Sequence, residues 1–202
     1  MSIDLQNPDK DALLKKWEKE LEAVAPLNKW DLPAELAWWA EWASTRNDIL
    51  ELGAYNGAST KMMLLANPNL KVFVIDLWED NNKGVFDEAM KDFVEEGRLF
   101  EAQSSTEGGM KELLKIGVEK FDGLLVDAGH TKELVSTDIR LGMQLMKDGT
   151  LICGHDYHSA WPDNGVSQAV IELLPGHTNP CESIWAYQIP QLQDSPPDAS
   201  PA

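Results

Sequence analysis

From Lys10 to about Ala25 the apolar residues Leu13, Leu14, Trp17, Leu21 and Val24 recur at spacings of three and four, with Lys and Glu between them. That period marks one face of an α-helix, and Pro26 ends it. After Asp31-Leu32-Pro33 a second helical stretch carries Leu36, Trp39, Ala40 and Ala43 on one face, which Trp38 and Trp42 widen. The pattern then changes. Asp48 to Leu52 is a short apolar run that stops at Gly53, followed by a small-residue loop and a helix from about Ser59 to Ala66. Lys71 to Ile75 (KVFVI) is rich in β-branched and aromatic residues and ends in Asp76, and a helix bearing Phe86, Met90, Phe93 and Val94 follows. Arg98 to Ala102 predicts a third strand, Met110 to Ile116 a helix, and Phe121 to Val126 a fourth strand that again ends in an acid, Asp127. Thr131 to Met146 reads as a helix, Asp148-Gly149 as a turn, and Thr150 to Cys153 as a fifth strand running into Gly154-His155-Asp156.

Strands separated by helices predict right-handed parallel crossovers, hence an open, mostly parallel α/β sheet with helices on both faces. Ligands in such sheets bind at the carboxyl ends of the strands. Ser183 to Ile189 predicts a last strand with no clear helix before it, so it is expected to run antiparallel at an edge or in a hairpin. The expected organisation is a helical extension over residues 1–46, acting as a lid or an oligomer contact, and one α/β domain over 47–190. The Pro- and Ser-rich stretch from Gln191 to Ala202 is expected to be a disordered tail.

Charge narrows the partners. Seventeen Lys and Arg against 34 Asp and Glu give a net charge of −17, which repels phosphate backbones and anionic membranes. No apolar run reaches the ~20 residues of a membrane helix, and MSIDLQNPDKD has no basic and then apolar leader pattern. A cytoplasmic protein that binds neither nucleic acid nor membrane is expected. The acidic stretch Asp76 to Glu112 reads most simply as solvated helix faces. Cys153 and Cys181 are too few for a disulfide framework and lack metal-ligand spacing; Cys153, inside an apolar strand, reads as core packing.

The chemistry concentrates at strand ends. In Glu51-Leu-Gly53-Ala-Tyr55-Asn-Gly57, between a strand and a helix, the glycines let the backbone turn tightly and approach a ligand. Tyr55 stands where a dinucleotide loop needs its middle glycine, which disfavours a nicotinamide oxidoreductase. Asp76, nineteen residues after Gly57, is placed to accept hydrogen bonds from a ribose diol.

With these residues in order, the chain resembles the class I S-adenosylmethionine-dependent methyltransferases, and among them the small-molecule O-methyltransferase branch that includes the macrolide-sugar enzymes. ILELGAYNGAST is similar to the first motif, VIDLW to the ribose motif, and FDGLLVDAGHTKELVSTDIRLGMQLMKDGTLICGHDYH to the segment from strand four to strand five. The resemblance covers roughly residues 48 to 190 and implies a Rossmann-like fold. It implies that Glu51, Gly53, Tyr55, Asn56, Gly57 and Ser59 surround the methionine part of S-adenosylmethionine, with Asp127 beside it. Asp76 would hold the ribose, Leu77 and Trp78 would pack on adenine, and Gln103, Ser104 and Ser105 would meet the adenine edge. Many relatives carry an Asp where Ser104 or Ser105 stands, and a Ser hydroxyl can still serve as partner.

Asp127, His130, His155, Asp156 and His158 form a second constellation at the ends of strands four and five. Asp127 and Asp156 on neighbouring parallel strands would repel, so either one is protonated or a cation lies between them. The resemblance implies Mg²⁺ or another divalent cation on Asp127 and Asp156, where some relatives have two adjacent acids and this chain has His155-Asp156. His155 reads either as support behind the site or as a contact to metal or substrate. His130 reads as the general base for a hydroxyl of a small-molecule acceptor, or as a residue that caps the next helix or faces solvent. Asp138 lies on the apolar stripe of its helix and is expected to form a structural hydrogen bond, with metal ligation as the lesser reading because it lies almost three turns along the helix from Asp127. Trp161, in a loop after Asp156, either stacks on substrate or anchors the loop. Trp30, Trp38, Trp39 and Trp42 are expected in the core, with a lid or a subunit contact in a homodimer as the other reading. The rival function is a catalytically inactive cofactor- or sugar-binding module on the same fold.

Overall fold

The computed structural model describes residues 4–79, 82–160 and 164–191. Seven strands form one sheet in the order β3-β2-β1-β4-β5-β7-β6. β1 (Asp48–Leu52), β2 (Lys71–Asp76), β3 (Leu99–Gln103), β4 (Gly123–Val126) and β5 (Leu151–Gly154) are parallel, and β7 (Ile184–Gln188) is antiparallel to both β5 and β6 (Thr178–Cys181). The predicted last strand is therefore real and antiparallel, but β6 takes the edge and β7 lies inside. Two elements had no visible signal. β6 reads TNPC, with a proline and no alternation, and α8 (Val166–Leu173) precedes it. The expected loop centre Trp161-Pro162-Asp163 and the tail after Gln191 lie outside the described residues.

Helices α4 (Ala58–Ala66), α5 (Lys83–Glu95), α6 (Thr106–Ile116) and α7 (Lys132–Gln144) alternate with the strands as the apolar periods require. The first predicted helix is two, α1 (Lys10–Lys16) and α2 (Glu18–Val24), joined at Trp17. Trp17 is buried and its indole N–H donates to Glu41 at 3.1 Å, which fixes the joint. α3 (Pro33–Ala43) opens on Pro33, whose missing N–H costs nothing in a first turn, and every residue from Ala34 to Ala43 is buried.

Trp38, Trp39 and Trp42 of α3 are fully buried, and the Trp42 indole donates to the Leu151 carbonyl of β5 at 3.0 Å. They share one core with Ile49 of β1, Val72 of β2 and Met62 of α4. The N-terminal helices thus cover one face of the sheet, which leaves these three indoles no surface for a subunit contact. Trp30 departs from the group: it is 68% exposed. The second core, on the other face, gathers Leu50, Leu52, Leu124, Val126 and Ile152 under α6, α7 and α8. Asp138 of α7 is buried there and accepts from the Thr106 hydroxyl of α6 at 2.5 Å, so it ties two helices together. Burial raises its carboxyl to about 6.

Register decides what meets at the carboxyl ends. Leu52 pairs with both Ile75 and Val126, Asp76 with Gln103, and Val126 with Gly154. One residue further on, Asp76, Gly53, Asp127 and His155 stand in a row across four strands. Gly53 has φ +84°, and a Cβ there would lie 2.1 Å from the Asp127 carbonyl oxygen. Only glycine fits such a place.

Gly53→Ala is therefore expected to unfold the strand ends, lowering stability by more than ~3 kcal/mol in chemical denaturation. Gly97, also left-handed at φ +68° but with nothing near its missing Cβ, supplies the comparison: Gly97→Ala should cost only the backbone strain, ~1–2 kcal/mol. Equal losses in the two variants would mean that crowding against Asp127 contributes nothing.

Candidate active site

The row of strand ends opens into a cavity of about 720 Å³. One half of its wall is the loop after β1 together with the end of β2. Asp76 fixes that loop: one carboxylate oxygen accepts the N–H groups of Ala54 and Tyr55 at 2.7 and 2.9 Å, and the other accepts the Trp78 N–H at 2.6 Å. The Trp78 indole then donates to the Tyr55 carbonyl at 3.1 Å. Tyr55, Trp78 and Asp156 have positive φ (50°, 46° and 59°), and all three line the cavity. The fourth such residue among those described, Glu182, lies away from the cavity, and strained backbone gathered around one cavity is characteristic of functional sites.

Gly53, Tyr55, Asn56, Ser59, Asp76, Leu77, Trp78, Ser104, Ser105, Asp127, His130, His155 and Asp156 all lie on this wall. Glu51, Gly57 and Gln103 do not. Glu51 lies fully buried beneath the loop and accepts the hydroxyls of Ser59 and Thr60 at 2.5 and 2.6 Å. Burial lifts its carboxyl to about 8 in spite of those two bonds. Gly57, at φ +89°, gives room to Met90 and Phe86. Gln103 donates to the Leu77 carbonyl at 3.2 Å and so braces the adjoining segment. Ser105 caps α6, accepting from the Gly108 N–H at 3.2 Å.

The opposite half is ionic. His130 Nε2 lies 2.8 Å from Asp156 Oδ2. That contact raises the imidazole above its ordinary range, and the same contact holds the Asp156 carboxyl low against the opposing effect of burial. The helix cap is Thr131, which accepts from the Leu134 N–H at 3.3 Å, so His130 is left to face Asp156. His158 instead stacks edge-on against Tyr157, ring centres 4.8 Å apart.

His155 is the most enclosed of the four histidines, 8% exposed. Four carboxylates surround it. Its Nε2 is 3.1 Å from Glu35, a charge contact rather than a well-aligned hydrogen bond. Its Nδ1 is 3.7 Å from Asp127, 3.7 Å from Asp156 and 4.0 Å from Asp31. Burial works against its charge, but Asp127 and the other acids push the imidazole up to about 11. Burial and the neighbouring Asp127 push Asp31 up to about 7, and burial also raises Asp127. Glu35 is buried too, yet stays low because His155 and the N–H groups of Leu32 and Ser183, at 2.8 and 2.9 Å, all stabilise its charge.

Asp31 and Glu35 are site residues that the sequence did not reveal. Neither lies in a motif, and Glu35 looks like an ordinary acid of a first helical turn. The one available signal is their i,i+4 spacing across the start of α3. Among the described residues, two overlapping groups carry metal-ligand atoms within 4.8 Å of one another: Asp31, Asp127 and His155, and Asp127, His130 and Asp156. Carboxylate oxygens with an imidazole nitrogen are a donor set that suits a divalent cation.

A family model described as a methyltransferase domain matches residues 50–157, more than half of the chain. No curated protein matches the sequence. Among solved structures, an O-methyltransferase from Bacillus cereus in complex with SAH is similar at 17% identity and TM-score 0.64, over 90% of this chain and 92% of that one. TomG of Streptomyces achromogenes, an O-methyltransferase involved in tomaymycin synthesis and solved with SAM, is similar at 14% identity and TM-score 0.65, over 91% and 92%. The SAH-bound methyltransferase PaMTH1 of Podospora anserina gives 17%, TM-score 0.62, and coverage of 91% and 88%. At these identities the likeness is one of fold. The family match spans the loop after β1, the Asp76 clamp and the acid–imidazole cluster, and this chain belongs to the methyltransferase domain family.

Proposed function

We propose that this protein transfers the methyl group of S-adenosylmethionine to a hydroxyl of a small molecule. The observation that carries the reading is a single cavity holding the Asp76-clamped glycine loop on one side and the His130–Asp156 pair on the other. That volume has room for the cofactor and an acceptor together. The O-methyltransferases solved with SAM or SAH share the fold, and their ligand supports the choice of cofactor.

In the reaction the acceptor oxygen attacks the methyl carbon, the carbon–sulfur bond breaks with its electron pair going to sulfur, and the hydroxyl proton must leave. His130 is placed to take it. Asp156 engages Nε2, so the neutral imidazole presents its Nδ1 lone pair as the base, and Asp156 then stabilises the imidazolium that forms. Tyr55 and Trp78 wall the loop side and, with Trp30 and Leu134 at the rim, shield the reacting atoms from water. Asp127, Asp156 and His155 would hold a divalent cation, which when bound lowers the pKa of a coordinated hydroxyl. Lys29, whose ammonium donates to the Tyr55 hydroxyl at 2.7 Å, fixes that tyrosine at the cavity mouth.

Calorimetric titration of the EDTA-treated protein with S-adenosylhomocysteine tests the reading directly. Micromolar binding is expected, with His130→Ala within about twofold of wild type in affinity and ~10²–10⁴-fold lower in turnover. Absence of binding would favour the inactive module.

The pH dependence follows from the sign of the His130 shift. The base must be neutral, and Asp156 favours its charged form, so kcat/KM should climb as pH rises through a pKa above the ordinary 6.5. Asp156→Asn removes that bias and should move the rising limb to lower pH. A limb that stays in place would assign the titration to another group.

A further inference from the structure

The proposed reaction leaves two carboxylates of the N-terminal segment unused. Asp31 and Glu35 lie beside the cluster at the strand ends, yet they come from a part of the chain outside the family match. The backbone of Asp31 is pinned by Asn28, which donates to its carbonyl at 2.8 Å and accepts its N–H at 3.1 Å. Its carboxylate is only 16% exposed, makes no hydrogen bond among the described residues, and has His155 Nδ1 at 4.0 Å as an ion-pair neighbour.

His155 supplies the second observation. Glu35 faces its Nε2 at 3.1 Å as a charge contact, and Nδ1 is turned toward Asp31, Asp127 and Asp156 at 3.7 to 4.0 Å. Those separations exceed hydrogen-bond reach. An imidazole only 8% exposed therefore turns Nδ1 toward a ring of carboxylate oxygens that all lie beyond hydrogen-bond distance. Ligand atoms of Asp31, Asp127 and His155 lie within 4.8 Å of one another, the span of one coordination sphere with bonds of ~2.1–2.5 Å. Behind it stands Glu35, in the place of the outer carboxylate that commonly orients a metal-binding histidine.

We propose that Asp31 is a ligand of a divalent cation shared with Asp127 and His155 Nδ1, and that Glu35 is the positioning residue that turns this nitrogen toward the ion. This rests on the reading of the strand ends as a divalent-cation centre and adds to it a ligand and a support from the N-terminal segment. One imidazole among carboxylates suits Mn²⁺ and its first-row neighbours better than Mg²⁺. The start of α3 is then part of the reaction centre and more than a cover over the sheet.

The test uses the full chain, stripped with EDTA and titrated with Mn²⁺ alone. Loss of the free-ion electron paramagnetic resonance signal gives affinity, and pulsed measurements on the bound ion detect a directly coordinated ¹⁴N. Asp31→Asn and Glu35→Gln should each weaken Mn²⁺ binding by about 10–100-fold, while thermal unfolding without metal checks that both variants fold. The wild type should show one coordinated nitrogen, kept in His130→Gln and lost in His155→Gln; this holds the test open if an acid variant misfolds. Wild-type affinity in Asp31→Asn, or a nitrogen that belongs to His130 or is missing from the bound ion, would overturn the assignment and leave a cation on Asp127 and Asp156. No uptake of Mn²⁺ by the wild type would overturn both this proposal and the cation reading beneath it.

Discussion

A buried imidazole among four carboxylates is the interaction on which the rest of the structure turns. Removing one charge from water costs several kcal/mol unless opposite charge and hydrogen bonds replace the solvent. Here the replacement is mutual. His155 arrives on the end of β5, Asp127 on the end of β4, and Asp31 and Glu35 on the entry to α3, so no one of these segments satisfies its own buried groups. Glu35 also accepts the Ser183 N–H of the hairpin between β6 and β7, which ties the antiparallel edge of the sheet to the N-terminal helix. The electrostatics follow from crowding: His155 keeps its proton because it is surrounded by acids, and burial together with the neighbouring Asp127 raises the Asp31 carboxyl. Docking of α3, curvature at the strand ends and the charge state of the cavity are thus one problem with one solution.

That solution needs the strand ends to come very close. Gly53 permits it by having no side chain to meet the Asp127 carbonyl, and the loop beyond it would be loose without the Asp76 carboxylate, which gathers three backbone N–H groups. The role foreseen for Asp76 was recognition of a ribose. A carboxylate has roughly four lone-pair positions, so holding the loop and receiving hydroxyls are compatible, and the first organises the surface on which the second would occur. Glu51 works one layer lower. Its burial under Ser59 and Thr60 fixes the start of α4 and hence the shape of the same loop, without reaching the cavity.

The parallel part of the fold was legible because β1, β2, β4 and β5 are short apolar runs that end at a charged or glycine residue, and α5, α6 and α7 keep a clear apolar stripe. β6 was not legible, since TNPC owes its strand conformation to pairing with β7 and to nothing local. Trp17 misled in the opposite direction: its spacing continues one helix, while its indole is pulled to Glu41 and splits that helix in two. In the site, Asp127, His130, His155 and Asp156 were readable as residues at strand ends, because parallel register places such residues side by side. What each one touches was not readable. Whether His130 would cap a helix or meet an acid depended on Thr131 taking the cap, and whether His155 would face inward depended on Glu35, 120 residues away in the chain.

The cavity accordingly has two origins. Residues 50–157, the stretch matched by the family model, contribute the glycine loop, the Asp76 clamp and the acid–imidazole pairs. Leu27, Lys29, Trp30 and Asp31 come from outside it and form the facing wall. Trp30 differs from the other N-terminal indoles in being exposed at that rim, whereas Trp38, Trp39 and Trp42 are spent on the core that holds the wall in place. A rigid helix buried on every side is a firm support for a few residues that must be set within fractions of an ångström. The N-terminal segment can thus vary the exposed Lys29 and Trp30 without disturbing the sheet, while Leu27 packs against the core and Asp31 and Glu35 cannot change without exposing His155 to uncompensated burial. The cavity wall and the contacts to His155 are held by the same short stretch, but by residues under different physical constraints.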